Sequence, residues 1–323
     1  MRILLTGVSG FAGGHLAEAL LEQGGVELYG TGQRGQWPSE LWHLADRVVL
    51  RRCPLDDGAT IEALLREIQP EQIYHLAGYS DAGRSFREAE DAWAGNLTGT
   101  RCLYDAILRW GGRPRILYVG SGIVYGDLED PTRAHDELSP LRPASPYAAS
   151  KAAADLLSYQ YARCAGLDIV RVRPFNHIGP RQSPQYAVAH FAQQLAAIDC
   201  GKQAPLLETG NLDPRRDLTD VRDMVRAYML LMERGRSGEV YNVGTGQAHS
   251  MREVLNRLLA LTRVPIEVRQ RPGLVRATDT NVILADPSKL RSEVGWQPQR
   301  SLDQTLVDTL DYWRQTFTAR KTA

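Results

Sequence analysis

Two side chains four residues apart, Tyr147 and Lys151, have the types and the spacing of a proton-transfer pair. Residues at positions i and i+4 lie on one face of an α-helix, so the phenol and the ammonium would be neighbours. The pKa of tyrosine is about 10 in water, which makes the phenol a poor acid or base at neutral pH. A lysine cation nearby stabilises the phenolate and lowers this pKa. The spacing therefore predicts a group that exchanges protons near neutral pH, although a solvated helix surface can show the same two residues.

A glycine-rich loop near the start of the chain strengthens this prediction. It runs Thr6-Gly7-Val8-Ser9-Gly10-Phe11-Ala12-Gly13, between a short apolar strand pattern and an amphipathic helix pattern. Strand, glycine loop and helix form the context of a dinucleotide-binding fingerprint. Gly7 would make the tight turn, Gly10 would let the backbone approach a pyrophosphate, and Gly13 would let the helix pack on the strand. The helix start, with Phe11 and Ala12, would offer its N–H groups to the phosphates.

The end of the next strand pattern, 26–34, indicates which cofactor this loop would hold. NAD-binding folds of this kind place an acidic residue there, which bonds the ribose hydroxyls. This chain has Thr31 and Arg34 instead, and a guanidinium suits a 2′-phosphate. We therefore expect NADP(H) as the cofactor, with NAD(H) as the alternative.

The composition gives no sign of a nucleic-acid or membrane partner. The 323 residues contain 38 Lys plus Arg and 38 Asp plus Glu, so no net field attracts polyanions. No apolar run approaches the roughly 20 residues of a membrane span, and the N-terminus enters a strand pattern directly, without a signal peptide. The four cysteines are widely spaced, and the histidines form no metal-ligand cluster. We expect a cytoplasmic protein with reduced cysteines and no metal.

Strand-like apolar runs alternate with helical patterns through the first half of the chain. The strand patterns lie at 3–5, 26–34, 47–50, 72–77, 115–119 and 168–172, and the helical patterns include 61–68, 96–110 and 147–164. This alternation predicts an α/β fold with a Rossmann-type, doubly wound parallel sheet. Ligands bind at the carboxyl ends of such strands, and Gly7, Gly78, Ser121 and Asn176 all follow strand patterns. We expect these four residues around one crevice.

The second half of the chain is less regular and richer in proline. A helical pattern at 221–233 and a strand pattern at 240–243 restore order, and two further helical patterns follow. We interpret the chain as an NADP(H)-binding Rossmann domain and a smaller, discontinuous α/β lobe for a substrate. The first comprises residues 1–173 plus 217–244, and the second comprises residues 174–216 plus 245–323.

Several motifs together carry a resemblance that covers essentially the whole chain. Besides the two already described, they are His75-Leu76-Ala77-Gly78, Ser121-Gly122-Ile123-Val124-Tyr125-Gly126, Arg173-Pro174-Phe175-Asn176-His177-Ile178-Gly179-Pro180, Gly210-Asn211-Leu212 and Arg216-Asp217-Leu218-Thr219-Asp220-Val221-Arg222-Asp223. With these motifs the chain resembles the extended short-chain dehydrogenase/reductases that act on nucleotide sugars. Within that superfamily it is most similar to the GDP-4-keto-6-deoxy-D-mannose reductases.

The resemblance implies a catalytic trio of Ser121, Tyr147 and Lys151. Ser121 would hydrogen-bond the oxygen at C4 of the sugar, and Lys151 would also hold the nicotinamide ribose. Reduction at C4 would use a hydride from NADPH and a proton from Tyr147. Further cofactor contacts are implied for Leu55, Leu76, Ala77, Gly78 and Pro174. An aspartate that usually caps the adenine amino group aligns with Pro54, so adenine recognition would use the backbone, Asp56 or Asp57.

The resemblance also implies where a GDP-sugar substrate would bind. The candidate residues are Ser80, Ser85, Ser121, Asn176, Arg216, Arg276 and Asp279. Asn176 would contact the sugar diphosphate, and Arg216 the diphosphate or the base. Arg276 is a second diphosphate candidate, because a guanidinium donates bidentately to oxygen anions. Asp279, where the family more often has glutamate, would reach the ribose, and Ser80 and Ser85 are hexose candidates or plain loop residues.

One departure from the wider superfamily narrows the expected reaction. Its dehydratases carry an acidic residue two positions after Ser121, which removes the C5 proton, and this chain has Ile123 there. We therefore expect reduction of GDP-4-keto-6-deoxy-D-mannose to GDP-D-rhamnose (GDP-6-deoxy-D-mannose). The alternatives are a nucleotide-sugar 4-epimerase, a ketoreductase for another nucleotide sugar, and a non-catalytic NADP(H) sensor.

The resemblance finally implies a homodimer. In this family the helices corresponding to 96–110 and 147–164 pack against their copies as a four-helix bundle. The alanines at 148, 149, 152, 153 and 154 would permit close approach, although alanine is also an ordinary helix former.

Overall fold

The computed structural model describes residues 1–128, 130, 133–271 and 281–319. The strands are β1 (Arg2–Thr6), β2 (Glu27–Gly32), β3 (Val48–Arg52), β4 (Gln72–His75), β5 (Arg115–Val119), β6 (Asp168–Pro174), β7 (Asn176–Ile178), β8 (Leu206–Thr209), β9 (Arg215–Asp220), β10 (Val240–Val243), β11 (Ala248–Ser250), β12 (Glu267–Gln270) and β13 (Val282–Ile283). The helices are α1 (Phe11–Gln23), α2 (Gly58–Ile68), α3 (Ala89–Trp93), α4 (Gly99–Trp110), α5 (Pro146–Cys164), α6 (Ala187–Asp199), α7 (Val221–Arg234), α8 (Met251–Leu259), α9 (Ser288–Val294) and α10 (Leu302–Ala319). In these ranges, no helix combines the length and the apolar character needed to cross a membrane.

The main sheet has seven strands in the order β10-β6-β5-β4-β1-β2-β3. Every neighbouring pair in it is parallel. The chain starts in the middle with β1, proceeds to β3 on one side, and returns through β4 to the other side, which is the doubly wound arrangement. The predicted Rossmann-type parallel sheet is confirmed, and its carboxyl edge has a switch point between β1 and β4.

Apolar side chains cover both faces of this sheet, which explains why its strands read as continuous apolar runs. In β1, Ile3 and Leu5 pack in the core beneath α1 and α7, whereas Leu4 faces the opposite core beneath α2 and α4. Both cores are sealed from water, because these three side chains are at most 1% exposed. The sheet is therefore a rigid platform for the loops at its carboxyl edge.

A second lobe surrounds a smaller core of its own. Strand β9 pairs with β7, β11 and β13, and β8 pairs with β12. Phe191 in α6, Leu255 in α8 and Leu310 in α10 meet in one buried cluster. The lobe is discontinuous in sequence, as the α/β interpretation expects.

The packing of one short helix differs from the predicted division at residue 245. After that residue the structure has three helices rather than two, and the additional one is α9. Leu290, Val294 and Trp296 are buried in the core of the main sheet together with α7. The indole N–H of Trp296 also donates to the Asp223 carbonyl at 2.9 Å. Residues 288–296 therefore pack with the Rossmann sheet, because their apolar face covers α7 and β10.

Candidate active site

The glycine loop closes tightly over the end of β1. Gly7 has a φ of 75°, a backbone conformation that favours glycine. Its N–H and that of Val8 both donate to the Thr31 carbonyl, at 2.9 and 3.2 Å. A Cβ on Gly13 would lie 2.2 Å from the Gly7 carbonyl oxygen. The loop thus has room for backbone alone, and α1 starts directly after it with its N–H groups directed toward the loop. These features fit a bound pyrophosphate.

The loop that follows β4 forms the neighbouring wall. The Ala77 N–H donates to Thr6 Oγ1 at 3.1 Å, and Thr6 Oγ1 lies 2.9 Å from His75 Nδ1. A Cβ on Gly78 would lie 2.4 Å from Asn96 Oδ1 and 3.6 Å from Lys151 Nζ. Gly78 therefore allows the approach of two polar side chains to the crevice. The predicted helix 96–110 begins as a π-helical turn, Ala94–Thr98, before α4, and Asn96 is in that turn. Such turns are frequent at functional sites.

The structure brings Ser121, Tyr147 and Lys151 together at the end of β5. Ser145 caps α5, since its Oγ accepts from the Ala148 N–H at 3.1 Å, and this fixes Tyr147 in the first turn. Ser121 begins the short helical turn after β5, and its side chain hydrogen-bonds the Tyr147 phenol. The Lys151 ammonium donates to the Val119 carbonyl at 3.1 Å. The trio therefore has the contacts that a proton-transfer site requires.

The protonation states of this pair differ from the sequence expectation. Burial raises the pKa of Tyr147 to about 12, and the hydrogen bond from Ser121 only partly offsets this. Burial lowers the pKa of Lys151 to about 8. The expectation that Lys151 lowers the tyrosine pKa is wrong for this structure, because desolvation dominates and the ammonium binds a carbonyl. The phenol is protonated at neutral pH and is a proton donor.

The other predicted cofactor positions lie around the same edge of the sheet. Thr31 is 2% exposed and contributes its carbonyl to the glycine loop, while Arg34 is exposed just beyond β2. Leu55 packs against Gly99, Leu76 is half-buried beside the main core, and Pro174 ends β6. Asp57 caps α2 by accepting from the Thr60 N–H and hydroxyl. Asp57 is thus already engaged, and exposed Asp56 and the backbone remain for adenine.

The predicted substrate residues are only partly brought together. Asn176 is exposed at the start of β7, and Ser80 is exposed after β4. Arg216, in β9, donates to the Arg215 carbonyl at 2.9 Å. Ser85 is fully buried and donates to the Ala82 carbonyl, so it is a structural loop residue rather than a hexose contact. Arg276 and Asp279 lie outside the described residues.

Three residues near the site were not singled out from the sequence. The Tyr186 hydroxyl donates to the Ser80 carbonyl at 3.2 Å across the crevice, and the phenol is close enough to Tyr147 to affect its pKa. His177 stacks on Phe11 with ring centroids 5.8 Å apart. Arg181 binds the helix of the glycine loop. His177 follows Asn176 in the Pro-Phe-Asn-His motif, which was the available signal; Tyr186 and Arg181 gave none.

Comparison with known proteins agrees with this geometry. A family model described as GDP-mannose 4,6 dehydratase matches residues 4–309. The GDP-6-deoxy-D-mannose reductase of Pseudomonas aeruginosa is 34% identical, with 97% of each chain covered. A UDP-glucose 4-epimerase of Mycolicibacterium smegmatis is 32% identical, with 97% of this chain and 99% of the epimerase covered.

Solved structures superpose over nearly the whole chain. RMD from Pseudomonas aeruginosa, complexed with NADPH, has a TM-score of 0.84 and 32% identity, and covers 98% of this chain and 99% of its own. The Thermus thermophilus UDP-glucose 4-epimerase complex with NAD has a TM-score of 0.87 and 30% identity, with 97% and 99% covered. The chain therefore belongs to the extended short-chain dehydrogenase/reductases of nucleotide sugars, in the family described as GDP-mannose 4,6 dehydratase.

Proposed function

We propose that this protein reduces the C4 keto group of GDP-4-keto-6-deoxy-D-mannose with NADPH, and that the product is GDP-D-rhamnose. The observation that carries the proposal is the protonated Tyr147 phenol, joined to Ser121, beside an apolar residue where a dehydratase needs a base. Ile123 packs against the buried cluster that contains Tyr125 and Phe175. An isoleucine cannot remove a proton from C5, so the family's elimination chemistry lacks its base here. The reductase relative of Pseudomonas aeruginosa supports the choice of substrate.

The chain's own residues supply binding and the proton. Tyr147 keeps its proton at neutral pH and can donate it to the oxygen at C4 as the keto group is reduced. Ser121 can hold the same oxygen through its hydroxyl, and the Lys151 cation stabilises the phenolate that remains. Gly7, Gly10 and Gly13, with Phe11 and Ala12, would hold the pyrophosphate of the cofactor. When bound, NADPH supplies the hydride.

The test is NADPH consumption with GDP-4-keto-6-deoxy-D-mannose, which a separate dehydratase generates from GDP-mannose. We expect one NADPH oxidised for each keto sugar consumed, and no oxidation with GDP-mannose alone. Turnover of a nucleotide sugar without net NADPH oxidation would instead establish the epimerase alternative, for which the Mycolicibacterium smegmatis relative is the supporting observation. NADPH binding with no turnover of either kind would favour the sensor. NMR of the product would decide between GDP-D-rhamnose and its C4 epimer.

Preference for NADPH over NADH is supported by two neighbouring arginines. Arg34 follows β2, and Arg52 ends β3 opposite Gly32 in the sheet. A Cβ on Gly35 would lie 2.9 Å from Arg52 Cβ, so Arg52 is beside the Arg34 loop. In the described residues neither guanidinium is paired, whereas Arg51 binds Glu67 at 3.1 Å. Both are therefore available to a 2′-phosphate.

We expect Arg52→Gln to weaken NADPH binding by about tenfold or more and to leave NADH binding unchanged, since a charge-assisted bond to a phosphate contributes roughly 1.5–3 kcal/mol. Fluorescence titration with both cofactors measures this. Arg51→Gln is the matched control and should change neither affinity. An equal loss of NADPH and NADH affinity in Arg52→Gln would contradict the assignment to the 2′-phosphate.

Cofactor affinity should also depend on pH through Lys151. The pKa of Lys151 is lowered to about 8, so its ammonium is charged below that pH and neutral above it. We expect NADPH affinity to fall as pH rises through about 8, because the ribose hydroxyls lose a charged donor. Titrations over a pH series check this, and Lys151→Met should remove the inflection. An identical pH dependence in Lys151→Met would show that another group is responsible.

We further propose a homodimer through α4 and α5. Leu108, Leu156 and Tyr159 are exposed apolar side chains on these helices, with 44, 57 and 45% of their surface accessible. Of the five alanines on α5, Ala148, Ala152 and Ala154 are already buried within the subunit, so a second copy would meet mainly the larger side chains. Exposed apolar patches of this kind are typical of protein interfaces.

We expect Leu156→Arg to convert the dimer into a monomer, because an arginine at this point would be desolvated without a partner. Analytical ultracentrifugation measures the mass. Leu138→Arg is the control: Leu138 is 92% exposed in a different part of the surface, and its replacement should leave the dimer intact. A monomeric wild-type enzyme would refute the proposal.

We also place the enzyme in the cytoplasm. All four cysteines are free, which suits a reducing compartment. A tagged protein that fractionates with cytoplasmic markers would support this location.

A further inference from the structure

Arg181 has an unusual backbone conformation in the loop after β7. Its φ is 72°, and among the described residues Gln69 is the other non-glycine residue with a positive φ. The left-handed region is strained for a side chain with a Cβ. A residue kept in such a conformation is held there by its contacts. The question is therefore what the Arg181 side chain binds.

The Arg181 guanidinium reaches from this loop to the helix that follows the glycine loop. Its two terminal nitrogens donate to the two carboxylate oxygens of Glu18, at 2.5 and 2.6 Å. One of them also donates to His15 Nδ1 at 2.8 Å, and His15 Nε2 donates to the Pro180 carbonyl at 3.0 Å. Arg181 and His15 are largely buried, with side chains 13 and 7% exposed. We call these contacts of Arg181, Glu18, His15 and Pro180 the clasp.

The clasp requires a neutral His15. Because Arg181 has no acceptor, His15 Nδ1 must accept and the proton must be on Nε2, where the carbonyl of Pro180 receives it. The pKa of His15 is lowered to about 4, by burial and by the nearby guanidinium. The imidazole is therefore in the required state at neutral pH, and each polar group of the clasp has a partner.

A second contact joins the same two segments closer to the crevice. Phe11, the first residue of α1, stacks on His177 with an interplanar angle of 3°, and His15 packs edge-on against the same ring at 5.5 Å. The loop that contains Asn176 and His177 is thus held against α1 at both ends. One end of this contact is beside the glycine loop, and the other is the clasp.

We propose that Arg181 is a positioning residue that holds the 176–181 loop against α1, so that the wall of the cofactor crevice and the loop bearing Asn176 keep one relative geometry. The effect on the sugar nucleotide rests on the proposed function, but the effect on the cofactor does not. A misplaced wall weakens binding of both ligands, while the trio of Ser121, Tyr147 and Lys151 is left intact. Arg181 would act through the loop, without touching either ligand.

Arg181→Gly tests this proposal with little risk to folding, because glycine is favoured at a φ of 72°. We expect the variant to melt at the wild-type temperature or above, since the strain is relieved. The dissociation constant for NADPH and the KM for the keto sugar should both rise by about tenfold, while kcat changes by less than about threefold. Gln69→Gly, which relieves the same strain at the end of α2, is the matched control and should leave all three constants unchanged.

Each outcome decides the matter. An NADPH dissociation constant that stays at the wild-type value in Arg181→Gly overturns the proposal, as does the same rise in Gln69→Gly. A rise in Arg181→Gly that is reproduced by Glu18→Ala, and is not increased further in the double variant, supports the clasp. If the wild-type enzyme does not reduce the keto sugar, the proposed function fails, but NADPH titration of the same variants still tests the clasp.

Discussion

Replacing Tyr147 with phenylalanine should lower kcat by about 10²–10⁴-fold, which is the usual contribution of a positioned general acid. The phenol is the protonated group that contacts Ser121, and burial keeps its pKa at about 12. Phenylalanine preserves the ring and its packing but has no proton to donate. The affinity for NADPH should therefore stay close to the wild-type value. Steady-state NADPH oxidation with the keto sugar, together with fluorescence titration of the cofactor, measures the two quantities separately.

The matched control for this variant is Tyr161→Phe. Tyr161 is in the same helix, α5, and its hydroxyl donates to Asp105 away from the crevice. We expect its loss to leave kcat unchanged and to cost at most a small amount of stability, because a single hydrogen bond contributes roughly 0.5–1.5 kcal/mol. A Tyr147→Phe enzyme that keeps most of its kcat would show that another group, or water, supplies the proton.

Gly13→Ala should abolish cofactor binding. A Cβ at this position would lie 2.2 Å from the Gly7 carbonyl oxygen and 2.9 Å from Val8 Cα. Both are backbone atoms of the loop itself, so the clash cannot be relieved by a side-chain rotation. The loop must move away from α1, and the N–H groups that would face the pyrophosphate move with it. We expect the dissociation constant for NADPH to rise by about 100-fold or more, as for a misplaced binding group.

Gly14→Ala is the control on the adjacent residue. There a Cβ would meet the end of the Leu41 side chain, at 2.7 Å. Because a leucine side chain can change rotamer, the backbone of the loop need not shift, and cofactor binding should remain measurable. Thermal melting of both variants distinguishes loss of binding from loss of the fold. Wild-type affinity in Gly13→Ala would mean that the loop tolerates a displacement that this packing does not allow.

Local patterns predicted much of this protein because they report interactions between residues close in sequence. Three glycines at fixed spacing before an amphipathic helix indicated the turn, the close approach and the helix start. The four-residue spacing of Tyr147 and Lys151 indicated a common helix face, and the structure has that helix as Pro146–Cys164. Continuous apolar runs indicated strands buried on both faces. The order of these elements was enough for the doubly wound sheet.

The pKa values of Tyr147 and Lys151 could not be predicted in the same way. From the sequence, a neighbouring cation was expected to lower the tyrosine pKa. In the structure both side chains are surrounded by residues from β5 and other distant segments, and desolvation outweighs the attraction between the two groups. Burial depends on the whole fold. It therefore reversed the direction of the shift that local chemistry suggested.

The sequence by itself determined which residues could do chemistry, which helices and strands present them, and that the strands form a parallel sheet. Only the tertiary structure decided that α9 packs with that sheet, that Ser85 is buried, and that Arg181 joins its loop to α1. The physical reason is distance along the chain. Hydrophobic periodicity and glycine spacing act within a few residues, whereas Arg181 and Glu18 are 163 positions apart and meet because two separately predicted segments pack together.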